Sequence, residues 1–238
     1  MALLRKSKRK LRRQGKLIVL DGIDGTGKTT QTELLAATLR KSGYEVEQID
    51  IPQYGRTSSA LLEDYLAGKY RDLNPYAAAV FYAINRFDIG PTMKQWLEEG
   101  KVVLANRYVT SNAGHQGGRI VDPTERVKFF RWLDNLEYTI FEIPRPDLTV
   151  IFQVPVNIAQ KLIQKRGRKK DIHEASTQHL KKAEAAYEQV ATLFPKTKLI
   201  KCVQDGKLLE PKTIHNQVWE LVRRIPLKDF PPQFEVKK

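Results

Sequence analysis

Cysteine is almost absent from this chain of 238 residues: the only one is Cys202. A lone thiol cannot close an intrachain disulfide. It sits in Leu199-Ile200-Lys201-Cys202-Val203, so it reads as a small core hydrophobe and implies no oxidising compartment. Long apolar runs are missing too. None approaches the roughly 20 residues needed to cross a bilayer, so the chain reads as soluble, cytoplasmic and without a membrane partner. Internal repeats and low-complexity linkers are also lacking. With 41% hydrophobic residues, the length suits one α/β domain with at most an insertion.

Acid is missing from the first sixteen residues. They carry Arg5, Lys6, Lys8, Arg9, Lys10, Arg12, Arg13 and Lys16, so +8 of the +14 net charge lies in 1–16 and +6 in the rest. The segment has no apolar stretch of secretory length and is not a signal peptide. It reads as a basic extension, with three roles open: a solubilising tail, an arm that touches nucleic acid, or an organelle-targeting segment. The remaining +6 needs no nucleic acid, because a cleft for two polyanionic substrates is itself basic.

What is present begins with Gly22-Ile23-Asp24-Gly25-Thr26-Gly27-Lys28-Thr29, which fits G-x-x-x-x-G-K-[ST] without a mismatch. Leu17-Ile18-Val19-Leu20 before it reads as a buried strand. Leu34, Leu35, Thr38 and Leu39 after Thr30 read as a helix closed at Gly43. Strand, glycine loop and helix together aim backbone N–H groups and the positive helix end at a phosphate chain. Gly22, Gly25 and Gly27 shape that cradle around Asp24, Lys28 reaches the outer phosphates, Thr29 ligates Mg²⁺, and Thr30 opens the helix beside them. The pattern predicts a nucleoside triphosphate site with ATP·Mg²⁺ as its occupant.

Further strands are predicted at 45–49, 101–105, 148–152 and 198–203. Helices are predicted at 58–67, 75–99, 123–142, 156–165 and 174–194, with a last one marked by Ile214, Val218, Leu221 and Ile225. Alternating strands and helices mean a parallel sheet covered on both faces, with sites at the carboxyl ends of strands. That directs attention to the loops 22–29, 50–56, 106–118 and 165–174.

Those loops carry a resemblance. Beside the P-loop stand Pro52-Gln53-Tyr54-Gly55, Phe81-Tyr82-Ala83-Ile84-Asn85-Arg86, Asn106-Arg107-Tyr108-Val109-Thr110-Ser111-Asn112 and a basic segment ending Asp171-Ile172-His173-Glu174. Over roughly 17–225 the chain resembles the thymidylate kinases of the P-loop nucleoside monophosphate kinase group. The resemblance implies a three-layer fold with about five parallel strands and a short lid at about 165–174, flanked by the extension 1–16 and a C-terminal tail 226–238. It implies transfer of phosphate from ATP to dTMP in dTTP biosynthesis, and a homodimer.

By the same resemblance, Arg107 bridges the two phosphate groups, and Tyr54 meets the acceptor phosphate. Tyr82 stacks on the thymine while Arg86 hydrogen-bonds it. Asp24, Ser111, Asn112, His115, Gln116 and Glu174 belong to the acceptor site, and Asp24 and Asp171 join Thr29 around Mg²⁺. Because Thr26 stands where some members carry an arginine, Arg166 and Arg168 in the lid are the catalytic candidates. Tyr82 and Arg86, four apart, share one helical face whatever the family; their alternatives are core packing and a surface pair.

The chain departs from the family pattern in three places. Asn106 replaces an aspartate, keeping an oxygen acceptor and losing the charge. Gln53 stands where a phosphate-binding arginine is usual, with Arg56 the candidate replacement. His115, followed by Gln116, stands where a tyrosine near the acceptor sugar is usual. Two other functions remain open: a kinase for another deoxynucleoside monophosphate, and a non-catalytic nucleic-acid-binding P-loop protein. Tyr82, Arg86 and Asn112 argue against the second. The long helix also carries Tyr76, Val80, Ile84 and Phe87 on one stripe, for either an interface or the core.

Overall fold

The computed structural model describes residues 14–70, 73–165 and 176–234. Five parallel strands form the central sheet: β1 (Lys16–Asp21), β2 (Val46–Asp50), β3 (Val102–Asn106), β4 (Leu148–Gln153) and β5 (Thr197–Lys201), in the order β2-β3-β1-β4-β5. The inner strands β1 and β4 are buried along nearly their whole length. This is why they read as continuous apolar runs and not as alternating ones.

Helices cover both faces. On one side α1 (Lys28–Lys41) packs against α8 (Pro211–Arg224). On the other lie α3 (Pro75–Glu98), α4 (Val109–His115), α5 (Pro123–Asp134) and α7 (Thr177–Leu193). The short α2 (Ala60–Leu66) leads into α3, and α6 (Val156–Lys165) precedes α7. One core unites the sheet with both helix layers, and a small satellite of Leu62, Tyr65 and Ala78 joins α2 to α3. The stripe Leu180, Ala183, Tyr187, Val190 and Phe194 of α7 is buried throughout. Helix starts follow their caps: Asn74 accepts from Ala77 N at 2.9 Å, and Asp122 from Thr124 N and Glu125 N, each ahead of a proline that needs no partner.

Four features differ from the sequence reading. Segment 106–118, read as a loop, contains α4. Gly114 permits it, since a Cβ there would lie 2.5 Å from the Tyr187 ring; contact with α7 makes the helix where propensity alone does not. The helix read over 123–142 is α-helical only to Asp134 and continues as a π-helical stretch, Asn135–Ile140. The last strand stops at Lys201 and is followed by a small hairpin of β6 (Val203–Gln204) and β7 (Lys207–Leu208). Residues 226–234, read as a tail, continue the domain: Leu227 and Phe230 are buried, and Tyr44 stacks on Phe230 and donates to its carbonyl at 2.8 Å. Cys202 is buried as expected, and burial pushes its thiol up to about 12.

Candidate active site

The carboxyl ends of β1, β2 and β3 open into a cleft of about 420 Å³. Its lining includes Asp24, Thr29, Asp50, Tyr54, Tyr82, Arg86, Asn106, Arg107, Ser111, Asn112, His115 and Gln116. Thus three of the four loops singled out from sequence converge. Arg166, Arg168, Asp171 and Glu174, like residues 1–13, lie outside the described residues.

The floor is the P-loop. Gly25 has φ +83°, and a Cβ there would meet the carbonyl oxygen of Ala159 at 2.3 Å, so only glycine permits the turn. Lys28 Nζ donates to the carbonyls of Gly22 and Ile23 at 2.9 and 2.8 Å, which keeps the ammonium folded back over the loop. Thr29 and Thr30 are exposed at the start of α1. Beneath the loop, Asp21 is fully buried at the end of β1. It accepts from Gly22 N at 2.8 Å, Ser111 Oγ at 2.6 Å, Tyr187 Oη at 2.8 Å and the Thr110 hydroxyl. One carboxylate therefore fixes the P-loop, α4 and α7 to one another. Burial, then Asp21, raises the Tyr187 phenol well above its ordinary range and keeps it a donor.

Arg107 leaves β3 with φ +70°, a conformation costly for a residue with a Cβ and tolerated where the surroundings over-determine it. Its guanidinium is ion-paired with Asp24 and reaches Gly22 O at 3.4 Å and His115 Nε2 at 3.3 Å. Burial works to lower its pKa, but the neighbouring Asp24 carboxylate leads the opposing charges and the net direction is upward. Arg107 stays cationic, held at the cleft. His115 in turn contacts His179 Nε2 through Nδ1 at 3.1 Å.

The far wall comes from α3 and α4. Arg86 is 1% exposed and pairs with Glu137, Nε lying 2.9 and 3.1 Å from its two oxygens, while Nη1 reaches Asn112 Oδ1 at 3.5 Å. Arg86 is thus no surface residue: it lines the cleft with most of its donors committed to Glu137. Tyr82 lies on the same face, as spacing predicted, and Tyr54 stands half exposed at the rim. The Gln116 side-chain nitrogen is buried without a partner among the described residues. Arg56, the expected replacement for a phosphate-binding arginine, instead donates to Asp88 at 2.6 Å.

Four site residues escape the sequence reading. Asp21 is the polar last residue of an apolar strand, a signal available in retrospect, and Asp50 ends a strand of mixed polarity and gives no such signal. Glu137 is a single acid between Leu136 and Tyr138, and His179 gives no local signal; only the tertiary fold selects them. Among the described residues no three His, Cys, Asp or Glu side chains cluster as a metal site, and no helix is long and apolar enough to cross a membrane.

The family model for thymidylate kinase matches residues 20–209. The chain is 29% identical over 183 residues to a thymidylate kinase of Mycobacterium tuberculosis, covering 74% of this chain and 85% of that one. It is 30% identical over 218 residues to a probable thymidylate kinase of Thermococcus kodakarensis, covering 87% and 97%. A solved thymidylate kinase structure from Candida albicans superposes with a TM-score of 0.70 at 18% identity, over 89% of this chain and 92% of that one, and shows the same fold. The chain belongs to the thymidylate kinase family.

Proposed function

We propose that this chain, a nucleoside monophosphate kinase, transfers the terminal phosphoryl group of ATP to dTMP, giving ADP and dTDP, with the cleft residues in the roles that follow. The observation that carries this reading is Arg107. It is the cation poised between the P-loop and the acceptor wall, pre-set by Asp24 and by its own backbone.

ATP lies along the P-loop, with Lys28 exchanging its loop carbonyls for the outer phosphates. dTMP enters between Tyr82 and the α4 wall, its phosphate toward Tyr54 and Arg107 and its base toward Arg86, Asn112 and Gln116. Ser111 and His115 support the sugar side. In-line transfer through a loose transition state asks for alignment and for cations around the transferring oxygens, and Lys28 and Arg107 supply both. Arg166 and Arg168 add charge from the lid, with Glu174 beside the acceptor.

Mg²⁺ suits the hard oxygen donors of Thr29 and Asp24, joined by Asp171, and the Asn106 Oδ1 buried beside them without a partner among the described residues is the kind of acceptor a bound water satisfies. Bound with the nucleotide, the ion neutralises charge on the phosphates. A homodimer is supported by Tyr76, Ile84, Phe87 and Ile140, large apolar side chains left exposed on and beside α3. Cytoplasmic placement is consistent with a single buried thiol. Contact of the basic extension with nucleic acid predicts polyanion binding that weakens steeply with salt.

The testing experiment is a panel of nucleoside monophosphates offered with ATP and Mg²⁺, with the diphosphate product quantified. dTMP is expected to be the best acceptor; preferential phosphorylation of another would overturn the substrate assignment while leaving the kinase fold intact.

A further inference from the structure

Two carboxylates line the described part of the cleft, and they differ in company. Asp24 is neutralised by Arg107. Asp50, exposed at the end of β2, is reached by no cation among the described residues; the one donor to its side chain there is an amide, Asn106 Nδ2, at 2.8 Å. The two residues are direct partners in the parallel register of β2 and β3, so the contact follows from strand pairing. The same Nδ2 stands 3.5 Å from Thr29 Oγ1, so Asn106 links Asp50 to Thr29 at the carboxyl edge of the sheet.

An uncompensated carboxylate in a cleft for two polyanions repels both of its substrates unless a cation stands between. Asn106 also makes sense beside it. An aspartate at 106 would face Asp50 across the register with like charge, whereas the amide donates to it. The charge absent from β3 is therefore present one strand over.

We propose that Asp50 is the carboxylate that positions the hydrated metal ion of the bound nucleotide in this chain, acting from β2 and oriented by the Asn106 amide, with Thr29 as the neighbouring ligand. This rests on the ATP-site reading above and adds to it a residue for which neither the P-loop nor the Asn-Arg-Tyr segment gives any sign. Asp50 is a positioning residue here, working through metal-bound water.

The test reads metal binding directly. Mn²⁺ is titrated into the full-length protein with a non-hydrolysable ATP analogue and followed by electron paramagnetic resonance, with no acceptor present. Asp50→Asn keeps the shape and an oxygen acceptor for Asn106 but removes the charge. Mn²⁺ affinity is expected to fall on the order of 10-fold, the scale of losing an outer-sphere partner. The swap Asp50→Asn/Asn106→Asp, which returns one carboxylate to the pair, is expected to restore it. Unchanged affinity in the single variant, or a swap no better than the single variant, overturns the proposal. Because no acceptor is used, a wrong acceptor assignment would surface in the monophosphate panel and not in this titration.

Discussion

Two arginines line the described cleft, each paired with one carboxylate, and the two pairs are built for opposite ends. Arg86 and Glu137 are sealed: their side chains are 1% and 0% exposed, and the pair sits between α3 and the π-helical stretch. Arg107 and Asp24 stand at the cleft, 19% and 14% exposed. A sealed pair cannot exchange partners without stranding a charge, so it fixes that wall of the cleft. An accessible pair can trade its carboxylate for a phosphate. Pairing alone does not identify a catalytic arginine; access to a competing anion does.

The comparison can be broken most sharply at its accessible end. Arg107→Ala is expected to lower turnover by about 10³-fold or more, the range for a transition-state arginine, with a melting temperature near that of the parent; dTDP formation and thermal denaturation check it. A folded variant with parental turnover would place Arg107 outside the chemistry. Under the proposed role, Lys28→Ala is expected to cost on the order of 10²-fold or more in kcat, again with the fold intact, because its ammonium reaches only carbonyls of the loop and no core side chain.

At the sealed end the loss should appear as stability. Glu137→Ala leaves Arg86 buried and unpaired, and urea unfolding should show a loss of about 3–5 kcal/mol. Glu137→Gln, which keeps an acceptor, should lose less. Equal effects from both would mean that the charge, which both variants remove, and not packing, makes the wall.

The smallest effect sharpens the contrast with a neutral pair on the other face of the sheet. His215 Nε2 lies 2.8 Å from Thr38 Oγ1, and burial lowers the pKa of its ring below the ordinary histidine value. The native state therefore refuses a proton that the unfolded chain accepts. Stability from this residue is present above the unfolded histidine pKa, near 6.5, and is lost as pH falls below it. Melting temperatures between pH 5 and 8 should show that slope, and His215→Gln should flatten it.

Much of this architecture is legible in the amino-acid sequence. The P-loop, the five strands and the cleft face of α3 follow from local periodicity and turn chemistry, which report themselves in consecutive residues. Tyr82 and Arg86 can be assigned to one face from spacing alone. Asp21, Glu137 and His179 cannot, because their partners lie far along the chain: Tyr187 for Asp21, Arg86 for Glu137, His115 for His179. The helix α4 is hidden for a related reason. Its glycine, serine and asparagine argue for a loop, and its contact with Tyr187 decides otherwise.

Asp21 has a further consequence, for how the molecule opens. Four donors from three separate stretches end on one buried carboxylate, so none of those stretches can leave without exposing an unsatisfied oxygen. The amides of Gly22, of α4 at Thr110 and Ser111, and of α7 near Tyr187 should then exchange with solvent deuterium as a single cooperative unit. The hairpin of β6 and β7, whose strands are two residues each and largely exposed, should exchange ahead of them. The slowest-breathing part of this enzyme would lie directly beneath the loop that holds its nucleotide.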